Sequence, residues 1–255
     1  MRAFCLRPCA TLVLLAFASL CSAQQLVVGA GASLSLGSSV VDAGCRDLQL
    51  DGTLDIASGT IQSVRDVGSG GQVRGGSGTL SLSGDLALGA ALQAENGTVE
   101  VTDGCGRNQS RVVGEHQFHR LSVQTSDTHT LVLPAGSTQM IASALELLGG
   151  TQRLVLRSSA PGAVSFLALA TAGAQSISRV DAQDVGAPTS AQFLAPNLPS
   201  FYDSLDQGNT PRFFLGDDEL IKPVPALSLS GAVLLLFSML AMAAIQLRAS
   251  ARGGV

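Results

Sequence analysis

Two stretches, Leu48-Gln49-Leu50-Asp51-Gly52-Thr53-Leu54-Asp55-Ile56 and Leu80-Ser81-Leu82-Ser83-Gly84-Asp85-Leu86-Ala87-Leu88, place apolar residues at every second position on either side of a glycine. Alternation of period two over four to eight residues is the pattern of a half-buried strand. Each stretch therefore reads as strand, glycine corner, strand, with the apolar residues in register. Units this alike stack, because one unit cannot bury its own apolar face and must use its neighbours. The reading that follows is a coil of piled rungs, a β-solenoid.

The same alternation recurs outward from these stretches, at Leu34 and Leu36, Val99 and Val101, Leu121 and Val123, Leu131 and Leu133, and Leu154 to Leu156. Before residue 224 no segment keeps a helical period with caps, and only 143–148 is ambiguous between helix and strand. The body is expected to be mainly β. A composition with 29 glycines and 4% aromatic residues suits tight corners and a narrow interior. The structural rival, a β-sandwich, generally carries more large aromatic residues in its core.

The two ends read differently from the body. Residues 1–23 set Arg2 and Arg7 ahead of an apolar run from Ala10 to Leu20, then the small residues Ser22 and Ala23. That order predicts a secretory signal peptide, with Gln24 as the first mature residue. A lipoprotein reading of Cys21 would need a small residue just before it, and Leu20 stands there. From Val224 to Leu247 the chain has no charged residue, with Arg248 and Arg252 behind. About 20 helical residues cross a hydrocarbon core of about 30 Å, so a single C-terminal transmembrane helix is expected, its arginines on the cytoplasmic side. The division is then signal peptide 1–23, solenoid 24–215, acidic linker 216–223 and tail 224–255.

Four of the 15 basic residues (Arg2, Arg7, Arg248 and Arg252) and none of the 19 acidic ones fall in the ends, leaving the body 11 against 19 and a net charge of −8. An acidic body argues against nucleic acid and anionic headgroups as partners. After removal of the first 23 residues the cysteines are Cys45 and Cys105, an even pair in an oxidising compartment. A disulfide and two buried thiols both remain open, since pairing needs close Cα atoms.

Val224-Pro225-Ala226-Leu227-Ser228-Leu229-Ser230-Gly231, followed by an apolar span and arginine, resembles the IPTL-CTERM sorting signal, a relative of the PEP-CTERM signals of Gram-negative bacteria. Pro225, Leu227, Ser228 and Gly231 match, Val224 is conservative, and Ala226 and Ser230 depart from it. The resemblance implies an exosortase-type enzyme that cuts near the motif and passes the body to the cell surface or an exopolysaccharide matrix. A second resemblance covers about 100 residues: 116–123, 130–133, 147–150, Leu154 to Gly162 (LVLRSSAPG), Ser176 to Asp184 (SISRVDAQD), Asp206 to Thr210 (DQGNT), Phe213 and Phe214. It is similar to a module of bacterial surface proteins read as right-handed parallel β-helices of the pectin-lyase-like type. This implies the fold and says little about chemistry.

Candidate chemistry is sparse. Glu115-His116-Gln117-Phe118-His119 lacks the His-Glu-x-x-His order of zinc proteases, and in a strand positions three apart point to opposite faces. Asp181 and Asp184 share that spacing, whereas glycoside cleavage needs two carboxyls facing one bond, one with a raised pKa. The second resemblance implies that both are routine corner residues, where aspartate caps a turn through its own backbone. The run Gly68 to Gly78 has no Gly-Lys-Ser/Thr ending and reads as a flexible turn. Tyr202 is the single tyrosine, and a sugar-stacking platform needs more rings. No catalytic, cofactor or metal residue is assigned. The expectation is an exported structural or interaction protein without enzymatic activity, partnered by signal peptidase, the sorting enzyme and the membrane. The rival is a carbohydrate-binding or carbohydrate-active β-helix.

Overall fold

A computed structural model describes residues 25–88 and 92–215. The expected signal peptide, linker, sorting motif and transmembrane helix lie outside the described residues. Among the described residues no helix is long and apolar enough to cross a membrane, and the compact unit that holds them ends at Phe214.

The body is a parallel β-solenoid of about eight turns. Every strand pairing among the described residues is parallel, and the chain returns to the same three faces on each turn. Face 1 starts with Leu26–Val28 and gains a strand per turn at 48–50, 67–69, Leu86–Leu88, Gln109–Val113, His129–Leu133, Leu154–Ser158, Val180–Gln183 and Leu205–Asp206. Face 2 starts with Ser33–Ser35, Thr53–Asp55 and Gln72–Arg74, runs through single bridges at Gln93 and Gln117, and ends in Ser165–Leu169 and Val185–Gly186. Face 3 carries 40–42, 60–62, Thr79–Leu82, Thr98–Thr102, 120–124, 144–148 and Ala174–Ser178. Residues 143–148 belong to the strand Thr138–Gly149.

Alternation does what the sequence implies. Leu48, Leu50, Leu54, Ile56, Leu80, Leu82, Leu86 and Leu88 all face one continuous core, joined by Leu121, Val123, Leu131, Leu133, Leu154 and Leu156. The two opening stretches are not equivalent rungs, however. Gly52 turns the chain from face 1 to face 2, whereas Gly84 lies between faces 3 and 1.

The repeat that sets the register is Ser58-Gly59-Thr60-Ile61, Ser77-Gly78-Thr79-Leu80 and Asn96-Gly97-Thr98-Val99, in steps of 19 residues. At this corner Thr60, Thr79 and Thr98 donate their N–H to the carbonyls of Ser39, Gly59 and Gly78 one turn earlier. The stacked carbonyl occupies the space of a side chain. A Cβ at Gly78 would overlap the Gly59 carbonyl oxygen and lie 2.5 Å from Ile56 Cγ2. Nor is the glycine-rich run one flexible turn: Gly68 sits in the strand Thr60–Ser69, and Gln72–Arg74 separates the corner at Gly70-Gly71 from the corner at Gly75 to Gly78.

Gly78→Ala should therefore lose about 1–3 kcal/mol of stability in urea unfolding, while Gly29→Ala, with nothing within 4 Å of the added methyl, should lose well under that. Leu54→Ala, at a fully buried position, should cost about 2–5 kcal/mol. Equal midpoints for Gly78→Ala and Gly29→Ala would remove the stacked-carbonyl account of the corner.

Candidate functional site

Outward positions of face 3 line up into a polar column. The register places Ser81, Glu100, Ser122, Glu146 and Ser176 one above another, about 4.8 Å apart per rung. Ser122 Oγ donates to Glu146 Oε2 at 2.9 Å, and Gln124 Nε2 donates to Ser122 Oγ at 3.0 Å. Arg120 Nη1 approaches Glu146 Oε1 at 3.7 Å. Beside the column a cleft of about 510 Å3 is lined by Glu100, Thr102, Asp103, Gln124, Ser126 and Leu148 among others. Glu146 is held by its neighbours, and Glu100 stands two rungs away. Ser81 and Ser122 are buried, so the groups this column presents to solvent are the carboxylates of Glu100 and Glu146, the Gln124 amide and the Ser176 hydroxyl. A cleft of about 500 Å3 on face 2 is lined by Gln93, Glu95, Gln117 and His119 with apolar neighbours.

Carboxylates with perturbed titration are all held low. The Arg65 guanidinium binds Asp47 through two bonds of 2.7 and 2.6 Å, the main reason its pKa is lowered. Burial raises the pKa of Asp103, and bonds from the Asp127 N–H and the Ser126 hydroxyl and N–H together outweigh it. Asp42 is lowered chiefly by the Gly44 N–H. A general acid needs the reverse shift.

Asp184 sits at the corner after the strand Val180–Gln183, whereas Asp181, expected at a corner, lies inside that strand. Asp181 pairs with Arg157 at 2.8 Å. Asp184, buried and with φ of 56°, accepts from the Gly162 N–H and the Asn209 amide, which lower its pKa. Asn209 also donates to the Gly162 carbonyl. The Pro161-Gly162 turn, Asp184 and Asn209 thus form one knot that ties three successive turns. This accounts for three spaced motifs of the sequence by architecture.

The histidines do not converge on a metal. His116 is buried and its Nε2 lies 2.9 Å from the Val113 carbonyl, while His119 is half-exposed at a bulge after Phe118. Among the described residues no group of three His, Cys, Asp or Glu could hold a metal. A buried contact that sequence reasoning missed joins His129 Nε2 to Ser110 Oγ at 2.8 Å. Ser110 Oγ also donates to the Ser83 carbonyl, and Ser110 and His129 are both buried, so the pair fills an inner corner where a nucleophile would need access. Burial lowers the pKa of both His116 and His129.

Cys45 and Cys105 are joined, with Cα atoms 5.2 Å apart. Both lie at corners between faces 3 and 1, and both have positive φ. Cys45 precedes the second strand of face 1 and Cys105 the fifth, so the bond spans three turns. Arg65, Asp66 and Arg107 form an ion-pair chain alongside. Tyr202, alone in the sequence, stacks against Phe201 and Phe214, and Phe214 against Phe213. Tyr202, Phe213 and Phe214 close the C-terminal end of the core, while Phe201 is exposed. The sorting-motif residues Val224, Pro225, Ala226, Leu227, Ser228 and Gly231 lie outside the described residues. No protein-family model, curated protein or solved structure matches the chain.

Two measurements follow from these groups. Replacing Cys45 and Cys105 by alanine should lower stability by about 2–4 kcal/mol, because the cross-link closes a loop with a sequence separation of 60. A histidine held below its ordinary value of 6.5 binds its proton more readily once unfolded, so stability should fall as pH drops below that value. The lowered aspartates contribute above their ordinary value of 3.8 and should give a second loss as pH falls below it. His129→Gln should shrink the first loss and leave the second. An unchanged profile for His129→Gln would show that His129 carries no such linkage.

Proposed function

We propose that the chain is an exported structural or interaction protein: a right-handed β-solenoid displayed at the cell surface or released into an exopolymer matrix, and carried there by its C-terminal signal. The observation that carries this reading is the Cys45–Cys105 bond, because disulfides persist in oxidising, extracytoplasmic compartments and are rare in reducing ones. It agrees with a leader of basic, apolar and small residues at 1–23 and a charge-free span at 224–247. An interior filled by inward aliphatic side chains and perturbed carboxylates all shifted low support a scaffold more than a catalyst. In this reading an exosortase-type enzyme recognises Val224, Pro225, Ala226, Leu227, Ser228 and Gly231, and the span behind them is a transient anchor. The acidic approach Asp217-Asp218-Glu219 supports this by leaving the motif accessible on the outer side. A second reading, carbohydrate binding, is favoured by Glu100, Gln124 and Glu146 beside the cleft.

Mass spectrometry of the protein from membrane, periplasmic and external fractions tests the proposal directly. The parent should begin at Gln24 and lose its tail near residue 224. Changing Pro225 and Leu227 together to alanine removes two matching positions and leaves the apolar span, so a longer form should accumulate in the membrane. Replacing Leu235 and Leu236 by lysines should instead weaken anchoring, at about 2.5–3.5 kcal/mol per charge near the bilayer centre. Normal processing of the Pro225 and Leu227 double variant would sink the sorting reading in favour of a plain anchor.

A further inference from the structure

The two ends of the solenoid are finished differently. At the C-terminal end the last strands are Ala174–Ser178, Val185–Gly186 and Leu205–Asp206, with Pro188, Pro199 and Pro211 nearby in the chain; Gln175 bonds to the Phe193 carbonyl and the Ala195 N–H, the Arg179 N–H donates to the Tyr202 carbonyl, and Tyr202, Phe213 and Phe214 close the core. Short strands, prolines and a covering segment are how proteins blunt an edge. At the N-terminal end Leu26–Val28, Ser33–Ser35 and residues 40–42 pair only with the following turn. Their other edges are free among the described residues. Val27 and Val40 are 56% and 66% exposed, and Leu26, Leu34 and Val41 remain only partly buried over the core. A crevice of about 280 Å3 opens there between Leu26, Val41, Asp42 and Arg46.

We propose that a second copy of this chain covers that end, the two solenoids meeting N-terminal end to N-terminal end across a two-fold axis. This rests on the export reading, since cleavage after Ala23 leaves Gln24 and Gln25 as the whole of the chain before Leu26, too little to cap a turn. A two-fold axis through the corner at residues 42–46 sets strands of the two copies antiparallel. Ser33–Ser35 then lies against its own equivalent, and Leu26–Val28 lies beside residues 40–42 of the other copy. The same axis brings Asp42 of one copy to Arg46 of the other, opposite charges on the rim of one crevice. Closed two-fold pairing uses up the three free strand edges of each copy and stops there, whereas head-to-tail stacking would have to displace the aromatic cap and continue as a filament.

Analytical ultracentrifugation of the protein recovered from the exported fraction, with its intact mass read on the same sample, tests this. A chain beginning at Gln24 should sediment as a dimer at micromolar concentration. Changing the exposed residues Ser33 and Ser35 together to lysine sets like charges across the axis and should raise the dimer Kd at least about tenfold. Arg46→Glu should weaken pairing in the same direction, and Arg111→Glu, on a middle turn, should not. Circular dichroism melts confirm that each variant remains folded. A monomer that begins at Gln24, or a dimer indifferent to both end variants, overturns the pairing and leaves export standing. A chain that keeps residues 1–23 in that fraction overturns the cleavage reading, and this proposal with it.

Discussion

One turn of backbone must lie on the next at hydrogen-bonding distance, and everything else in the body accommodates that contact. At the corner of Gly59, Gly78 and Gly97 the carbonyl of one turn meets the N–H of the next, and at Gly59 and Gly78 the oxygen stands where a Cβ would be. Glycine is required there by the close approach. Because the spacing of about 4.8 Å is fixed by the bond, side chains at equivalent positions pile into columns. Inward columns must then be apolar and of similar size, which explains the predominance of leucine and valine and the small aromatic content.

A stack of this kind is held turn to turn by nearest neighbours, so its weakness is separation of turns and fraying of ends. The disulfide answers the first. It joins corners three turns apart, and the Arg65, Asp66 and Arg107 chain runs beside it, so the N-terminal turns cannot part independently. The aromatic cluster of Tyr202, Phe213 and Phe214 answers the second at one end. The paired carboxylates add modestly, because exposed ion pairs contribute little.

The fold class was legible in the alternation of Leu48 to Ile56 and Leu80 to Leu88, because period two survives whatever corner a strand occupies. The register was not. Gly52 and Gly84 look alike in sequence but turn different corners, since a glycine marks a tight approach without saying which faces it joins. The signal that does fix the register is the 19-residue step of Gly-Thr-aliphatic at 59–61, 78–80 and 97–99. Of the site residues, the corner placement of Asp184 was implied by the second resemblance, whereas the strand argument for His116 and His119 does not apply, since His116 precedes the strand Gln117–Thr125 and the register shifts between Phe118 and Arg120. The Ser110 and His129 contact and the aromatic cap were not legible, because each unites residues whose spacing depends on turn length.

Turn length changes along the body, and the polar interior changes with it. The turns from Leu48 to Val67 and from Val67 to Leu86 advance by 19 residues, whereas those from Leu131 to Leu156 and from Leu154 to Val180 advance by 25 and 26. Longer turns cannot close every corner with glycine and a stacked carbonyl, so backbone groups are left without a partner in the ladder. Buried unpaired backbone is costly. Side chains take these places: Gln139 accepts from the His116 N–H and donates to the Gly114 carbonyl, Ser165 Oγ donates to the Leu133 carbonyl, Asp184 accepts from the Gly162 N–H, and Ser204 Oγ accepts from the Val180 N–H. All four are buried and all lie in the second half of the body. Asp184, a carboxylate that looks like chemistry in the sequence, is therefore one of the buried polar groups that wider turns require.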